Sequence, residues 1–341
     1  SLGLVRHASH PPRSRLPLLR VAPLARLGSM RVLTEEDVRA CLPPWRELID
    51  LAAEGLVALA EGRAEAPPKP AVHPSPGAFA NAMPAAHPER NLLGCKWISI
   101  VPDNPVRGLP TANGVMVLND AATGLPTCLM PAATLTAVRT AAVTGACVRA
   151  LAGDGPITFL GAGVQARSHL PMLAALGRTE VTVWARRASA LRELTAYAAQ
   201  AAPGLTVTSA SSREAAVRDA GTVVTGLSIG LVDTRLPVTL PRPDALLLPL
   251  DYASSVGPEL AESAETLASD DVRQFEAVRS DRAKLGAYPR ATTWTGHLLG
   301  HPRPPGRVVI ANLGSGVSDL LVADAILRAA ERDDVGQLVS L

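Results

Sequence analysis

The run Gly161-Ala162-Gly163-Val164-Gln165-Ala166 follows the apolar stretch ITFLG directly and opens a helical period that reaches about Leu176. A G-x-G-x-x-A turn between a strand and a helix constrains a fold more than any other feature of this chain. Gly161 permits the tight turn, Gly163 lets backbone approach a pyrophosphate, and Ala166 keeps helix and strand close. The free N–H groups and positive dipole of the helix start then face an anion. The same letters also make a glycine-rich turn without a ligand, so the strand-turn-helix context carries the reading.

That context continues downstream. Strand-like and helix-like segments alternate: ITFLG and a helix, VTVWA and a helix over 188–201, LTVTS and a helix over 212–219, then TVVTGL and ALLLPL. This is βαβ punctuation and predicts a parallel sheet. After the second strand, where an NAD site places an acid for the ribose hydroxyls, the chain reads Trp184-Ala185-Arg186-Arg187. Two guanidinium groups suit a 2′-phosphate, so NADP(H) is favoured over NAD(H). Solvated surface charge is the alternative use of Arg186 and Arg187.

The first half has a different texture. Thr34 with Glu36 and Asp37 forms a helix start, and the spacing of Val38, Leu42, Leu48, Leu51, Leu56 and Leu59 predicts helix through most of 34–62. Five prolines between residues 66 and 76 make an extended lip. Short apolar runs at Gly77–Met83, Leu93–Val101, Gly114–Leu118 and Pro126–Met130 are separated by turn residues and predict an antiparallel sheet. An Ala/Thr/Val helix from Thr134 to Leu151 leads into the dinucleotide turn, and a last helix over Leu313–Arg332 is expected to pack back on the first half.

Composition excludes several classes. With 47% apolar and 19% charged residues the chain is too apolar for disorder and long enough for two packed domains. The net charge of +2 is uneven: residues 1–29 hold five arginines and no acid, and the remainder carries −3. A mildly acidic body offers no footprint for nucleic acid or a membrane surface. No apolar run is long enough to span a bilayer. The four cysteines are scattered without a ligand-type pairing, which predicts neither a metal site nor a disulfide framework and fits a reducing cytoplasm. The proline-broken leader is set apart from the fold, with Met30 as the natural start; an arginine-rich transit peptide is the alternative.

Four blocks in order, LGCKWIS followed by Asn104 and Thr111, LNDAATGLPTCLM, LTAVRTAAVTG and FLGAGVQARSHLP, make the chain from Met30 onward resemble the ornithine cyclodeaminase and mu-crystallin family. The resemblance implies an α/β fold in which a Rossmann-type domain (151–311) is inserted in an α+β substrate-binding and dimerisation domain (30–150 plus 312–341) of a homodimer. It implies that Arg139 clamps a substrate carboxylate, that Lys96 lies beside the substrate, and that Asp251, at the end of ALLLPL, is a catalytic aspartate near the nicotinamide. Thr111 falls at a threonine touching carboxylate or nicotinamide, and Asn312-Leu313-Gly314 and Asp319 match a segment near the cofactor. Each residue also has a bland use: Arg139 in a helix-surface ion pair, Lys96 sent to solvent by strand alternation, Asp251 as a turn or cap carboxylate.

Departures from the family pattern bear on the reaction. Lys69 stands where a second arginine is usual and offers only a point charge. Asn81 stands where cyclodeaminases carry an acid, so a cationic substrate side chain loses its partner. Tyr252-Ala253-Ser254-Ser255-Val256 replaces a Pro-Gly turn, and Gly296-His297-Leu298 replaces G-E-L. The expectation is therefore an NAD(P)-dependent imino-acid reductase or amino-acid dehydrogenase acting on a small substrate. Ornithine cyclodeaminase is the alternative, and a non-catalytic ligand-binding protein the second alternative.

Overall fold

A computed structural model describes residues 28–280 and 284–340. The chain begins with β1 (Ser29–Val32), α1 (Glu35–Ala40) and α2 (Trp45–Ala60). A capping box starts α1: Thr34 Oγ1 accepts from the Asp37 N–H at 3.2 Å while the Asp37 carboxylate accepts from the Thr34 N–H at 2.8 Å. Five strands follow, each antiparallel to the next: β2 (Ala71–Ser75), β3 (Ala78–His87), β4 (Leu92–Ile100), β5 (Ala112–Asp120) and β6 (Pro126–Pro131). Exposed along its length and bulged against β3, β2 is the proline-rich lip at the sheet edge, where missing donors cost least.

Helix α3 (Ala133–Leu151), buried along most of its length, carries the chain into the second sheet. There β7 (Ile157–Leu160), α4 (Val164–Ala175), β8 (Glu180–Trp184), α5 (Ala188–Ala201), β9 (Thr206–Ser209), α6 (Arg213–Val217), β10 (Thr222–Thr225) and β11 (Leu246–Pro249) alternate as expected. The chain then adds α7 (Pro258–Glu262), β12 (Thr266–Ser269), α8 (Val272–Arg279), β13 (Thr293–Trp294), α9 (Thr295–Leu298) and β14 (Val308–Ile310). All eight strands are parallel, in the order β13-β12-β14-β11-β10-β7-β8-β9. The strand order reverses between β7 and β10, and in such sheets ligands bind beyond the carboxyl ends at that point. Strands β12 to β14, of two to four residues, were not anticipated, because they lie beyond the regular strand and helix alternation that marks the equally short β7 to β11.

Helix α10 (Gly316–Arg332) packs against α2, α3, β3 and β4, burying Val317, Leu320, Leu321 and Ala323 completely, as expected of a segment returning to the first half. Its continuation, β15 (Gln337–Ser340), pairs antiparallel with β1, so the first sheet runs β15-β1-β6-β5-β4-β3-β2. The pairing joins Ser29 to Ser340 and so reaches one residue into the stretch expected to stand outside the fold; residues 1–27 lie outside the described residues. No helix among the described residues is long and apolar enough to cross a membrane.

Candidate active site

The glycine turn sits at the end of β7. Gly161 has φ +126°, and a Cβ there would lie 2.6 Å from the Gly226 carbonyl oxygen at the end of β10. Only glycine lets the two strands of the switch point approach in this way. Gly163 caps α4 without a side-chain acceptor, which leaves the first N–H groups of the helix open. Together with Ala162, Gly226, Leu227 and Ser228 these glycines line a cleft of about 500 Å³ that extends to Ala185, Arg186, Arg187 and Ala190. The cleft contains no carboxylate, and its glycine floor, open helix terminus and two guanidinium groups fit the phosphates of a dinucleotide.

A smaller cavity of about 190 Å³ lies between the two sheets, well below the roughly 300–1,000 Å³ of sites for drug-sized ligands. Its walls come from β3 (Asn81, Met83), β4 (Lys96, Ile98), α3 (Thr136, Arg139, Thr140), α4 (Gln165), the end of β11 (Leu250, Tyr252) and the loop Asn312–Gly314. Strand alternation decides which β4 residues face it: Lys96 is fully buried toward the cavity, while its neighbour Trp97 is 43% exposed on the other face.

Charge is concentrated here. Lys96 Nζ donates to Asp319 Oδ1 at 2.7 Å, and Arg139 Nε lies 2.8 Å from the same oxygen. One carboxylate on α10 thus anchors two cations from β4 and α3. The Nη atoms of Arg139, the fork that grips carboxylates, have no hydrogen-bond acceptor among the described residues. They lie 2.8 Å from the position a Cβ on Gly314 would take, and Gly314 has φ +90°, so both space and backbone conformation demand glycine there. The Gly314 loop is set by Asp270, which accepts from the N–H groups of Leu313 at 2.9 Å and Gly314 at 2.7 Å. Lys69 Nζ donates to the Leu313 carbonyl at 2.7 Å.

Burial dominates the titration of this cluster. The Lys96 ammonium is pushed down to about 7, first by desolvation and then by Arg139, against the opposing pull of Asp319. Lys69 falls to about 8, again by desolvation, partly offset by Asp270. Desolvation raises Asp270 despite Lys69 and the two backbone donors.

Of the residues singled out from sequence, Lys69, Lys96, Arg139, Gln165 and Asn312 meet around the small cavity. Gly161, Ala162, Gly163, Arg186 and Arg187 meet around the cleft. Val164, in the first turn of α4, is 69% exposed. Asn312, expected at the cofactor, turns its amide to Thr295 Oγ1 at 2.8 Å and Cys147 Sγ at 3.5 Å. Thr111 is exposed and lines neither space, its carbonyl accepting from the Val101 N–H. Asp251 is buried, but its carboxylate accepts from Thr225 Oγ1 at 2.8 Å, Ser255 Oγ at 2.7 Å and the Leu227 N–H at 3.1 Å. Its neighbours Leu250 and Tyr252 reach the cavity instead, Tyr252 through a left-handed φ of +55°. Sequence reasoning passed over Asp270, whose only local signal is the pair Asp270-Asp271 after an unrecognised strand, and gave Asp319 no anchoring role.

The fold and the two adjoining spaces define a Rossmann-type dinucleotide-binding protein with a cationic small-molecule cavity on a second, mainly antiparallel sheet. The chain belongs to the ornithine cyclodeaminase/mu-crystallin family, which it matches over residues 30–228. It is 31% identical over 325 residues to the nodulation efficiency protein NfeD of Rhizobium meliloti, covering 92% of this chain and 99% of that protein. It is 31% identical over 248 residues to Delta(1)-pyrroline-2-carboxylate reductase 1 of Burkholderia multivorans, covering 72% of this chain and 74% of that protein. Among solved structures, an archaeal alanine dehydrogenase dimer with bound NAD superposes with a TM-score of 0.77 at 24% identity, covering 92% of this chain and 99% of that one.

Proposed function

We propose that the protein is an NAD(P)-dependent oxidoreductase that reduces a small cyclic imino acid, or oxidises the corresponding amino acid, with NADPH preferred. The observation that carries this reading is the Arg139 fork: a buried guanidinium without a hydrogen-bond acceptor for its Nη atoms among the described residues, in a cavity sized for a small carboxylic acid. The bound nicotinamide supplies the hydride chemistry. Arg139 binds the substrate carboxylate, and the Lys96 ammonium delivers a proton to the substrate nitrogen in the reductive direction. Asp319 holds both groups in register. Asp251, expected as a catalytic aspartate, ties together the carboxyl ends of β10 and β11 in this reading, since its carboxylate accepts from Thr225, Leu227 and Ser255.

The charged groups lining the cavity, Lys69, Lys96 and Arg139, are all cationic, and Asn81 leaves no carboxylate to receive a second substrate ammonium. That favours imino-acid reduction over cyclodeamination of a diamino acid. NADPH preference rests on Arg186 and Arg187 in a cleft without an acid, although the archaeal relative holds NAD. Oxidation of NADPH and NADH is to be followed against pyrroline- and piperideine-2-carboxylate, with ammonia release from ornithine and NAD measured alongside. Turnover of a cyclic imine with NADPH is expected. Ammonia release from ornithine alone would make the protein a cyclodeaminase, and silence throughout would favour a binding protein.

A homodimer is part of the same reading. Trp97, Val115 and Pro131 are successive cross-strand neighbours on the outer face of the first sheet, with Trp97 and Val115 each 43% exposed. An apolar row on a sheet face is suited to a second copy. Light scattering checks this: the wild type is expected at twice the chain mass and Trp97→Glu at the chain mass.

A further inference from the structure

Gln165 occupies the first turn of α4, directly after the glycine turn, yet its side chain forms part of the small cavity and not of the dinucleotide cleft. Its Oε1 is buried and has no hydrogen-bond partner among the described residues. The backbone carbonyl of the same residue is fully used, accepting from Ser168 Oγ at 3.0 Å and bonded to His169 Nδ1 at 2.7 Å. His169 is itself held from its other side by Thr144 Oγ1 at 3.0 Å, which fixes the first turn of α4 below the side-chain amide. A buried acceptor without a donor costs free energy that a ligand N–H can recover.

Thr136 Oγ1 in the same cavity is also buried without a partner, but a hydroxyl donates as well as accepts, so of the buried unpartnered atoms lining the cavity Gln165 Oε1 is the one that can only accept. Arg139, Lys96 and Lys69 bear only donors while charged, and Asn312 turns its amide to Thr295 and Cys147. From this arrangement we infer that Gln165 Oε1 accepts a hydrogen bond from the N–H of the amino acid, or of the imine once Lys96 has protonated it, and makes the site selective for these over carboxylic acids that lack an N–H. The inference rests on the carboxylate-binding role of Arg139 and adds the second point of recognition. A substrate held at both ends, its carboxylate on Arg139 and its nitrogen on Gln165, presents the α-carbon between α3 and α4 in a defined orientation.

The test uses the full-length protein without cofactor and two ring carboxylates of similar shape, L-proline and cyclopentanecarboxylate, titrated by calorimetry. The wild type is expected to bind L-proline at least about tenfold more tightly, the worth of one hydrogen bond to a charged donor. Gln165→Met, close in shape but without a strong acceptor, is expected to bind both ligands equally and to keep the wild-type affinity for cyclopentanecarboxylate and for NADPH. Gln165→Glu, which restores an acceptor, is expected to recover the preference. An undiminished preference in Gln165→Met, or a loss confined to NADPH affinity, overturns the role of Gln165 alone. Failure of the wild type to bind either carboxylate overturns the Arg139 reading with it.

Discussion

Lys96 Nζ and Asp319 Oδ1 lie 2.7 Å apart with both side chains fully buried, although the residues are 223 positions apart in the chain. The pair ties β4, an inner strand of the first sheet, to the last helix, and Arg139 shares the same carboxylate oxygen. A buried charge pair contributes little net stability against an apolar replacement, but removal of one partner strands the other. Its value here lies in placing two cations at one cavity.

Asp319→Ala is expected to destabilise the fold by about 3–5 kcal/mol, because Lys96 and Arg139 then share a dry site without their anion. Chemical denaturation measures this directly. Asp319→Asn, which keeps the volume and one acceptor, is expected to cost less stability while still lowering kcat, and an unaltered kcat in a folded Asp319→Asn protein would remove the positioning role.

The pH dependence follows from the depressed Lys96 group. In the reductive direction Lys96 must be protonated, so kcat/KM is expected to fall as pH rises through about 7. In the oxidative direction it must be neutral, and the same profile is expected to rise through about 7. Lys96→Met is expected to abolish this limb in both directions, which rate profiles against an imine and its amine would reveal.

Arg139→Lys keeps the charge but loses the planar fork. Its KM for the carboxylate substrate is expected to rise on the order of 100-fold, with cofactor affinity unchanged. Gly314→Ala is expected to act on the same step from outside, since its methyl group would meet both Nη atoms of Arg139 at 2.8 Å, and the left-handed backbone adds roughly 1–2 kcal/mol of strain. Steady-state kinetics and thermal unfolding separate the two contributions.

Arg186→Ala and Arg187→Ala are expected to weaken NADPH by about tenfold or more each while leaving NADH within about a factor of two. Equal losses for both cofactors would mean that the arginines serve the shared part of the dinucleotide, not its 2′-phosphate.

The elements were legible wherever the period was long or the turn chemistry strict. The helix start at Thr34, the four long strands from β3 to β6, and the alternation from β7 to β11 all follow from spacing and punctuation. Strands β12 to β14 escaped, because they are only two to four residues long and lie outside the run of alternating strand and helix segments that announced β7 to β11. Strand β15 escaped for another reason: it is exposed throughout, and its partner β1 lies at the other end of the chain.

By itself the sequence determined the local conformation at the dinucleotide turn, where Gly161 and Gly163 satisfy steric demands made within a few residues, and the residue types available for chemistry. It also held the alternation that buries Lys96 and exposes Trp97, but not which face would be covered. Only the tertiary structure decided that α10 covers the Lys96 face, that Asp319 rather than Asp251 meets the two cations, and that Gln165 turns toward the small cavity. The physical reason is that local conformation depends on sterics and hydrogen bonds along the chain, whereas the partner of a buried charge depends on which distant helix excludes water from it.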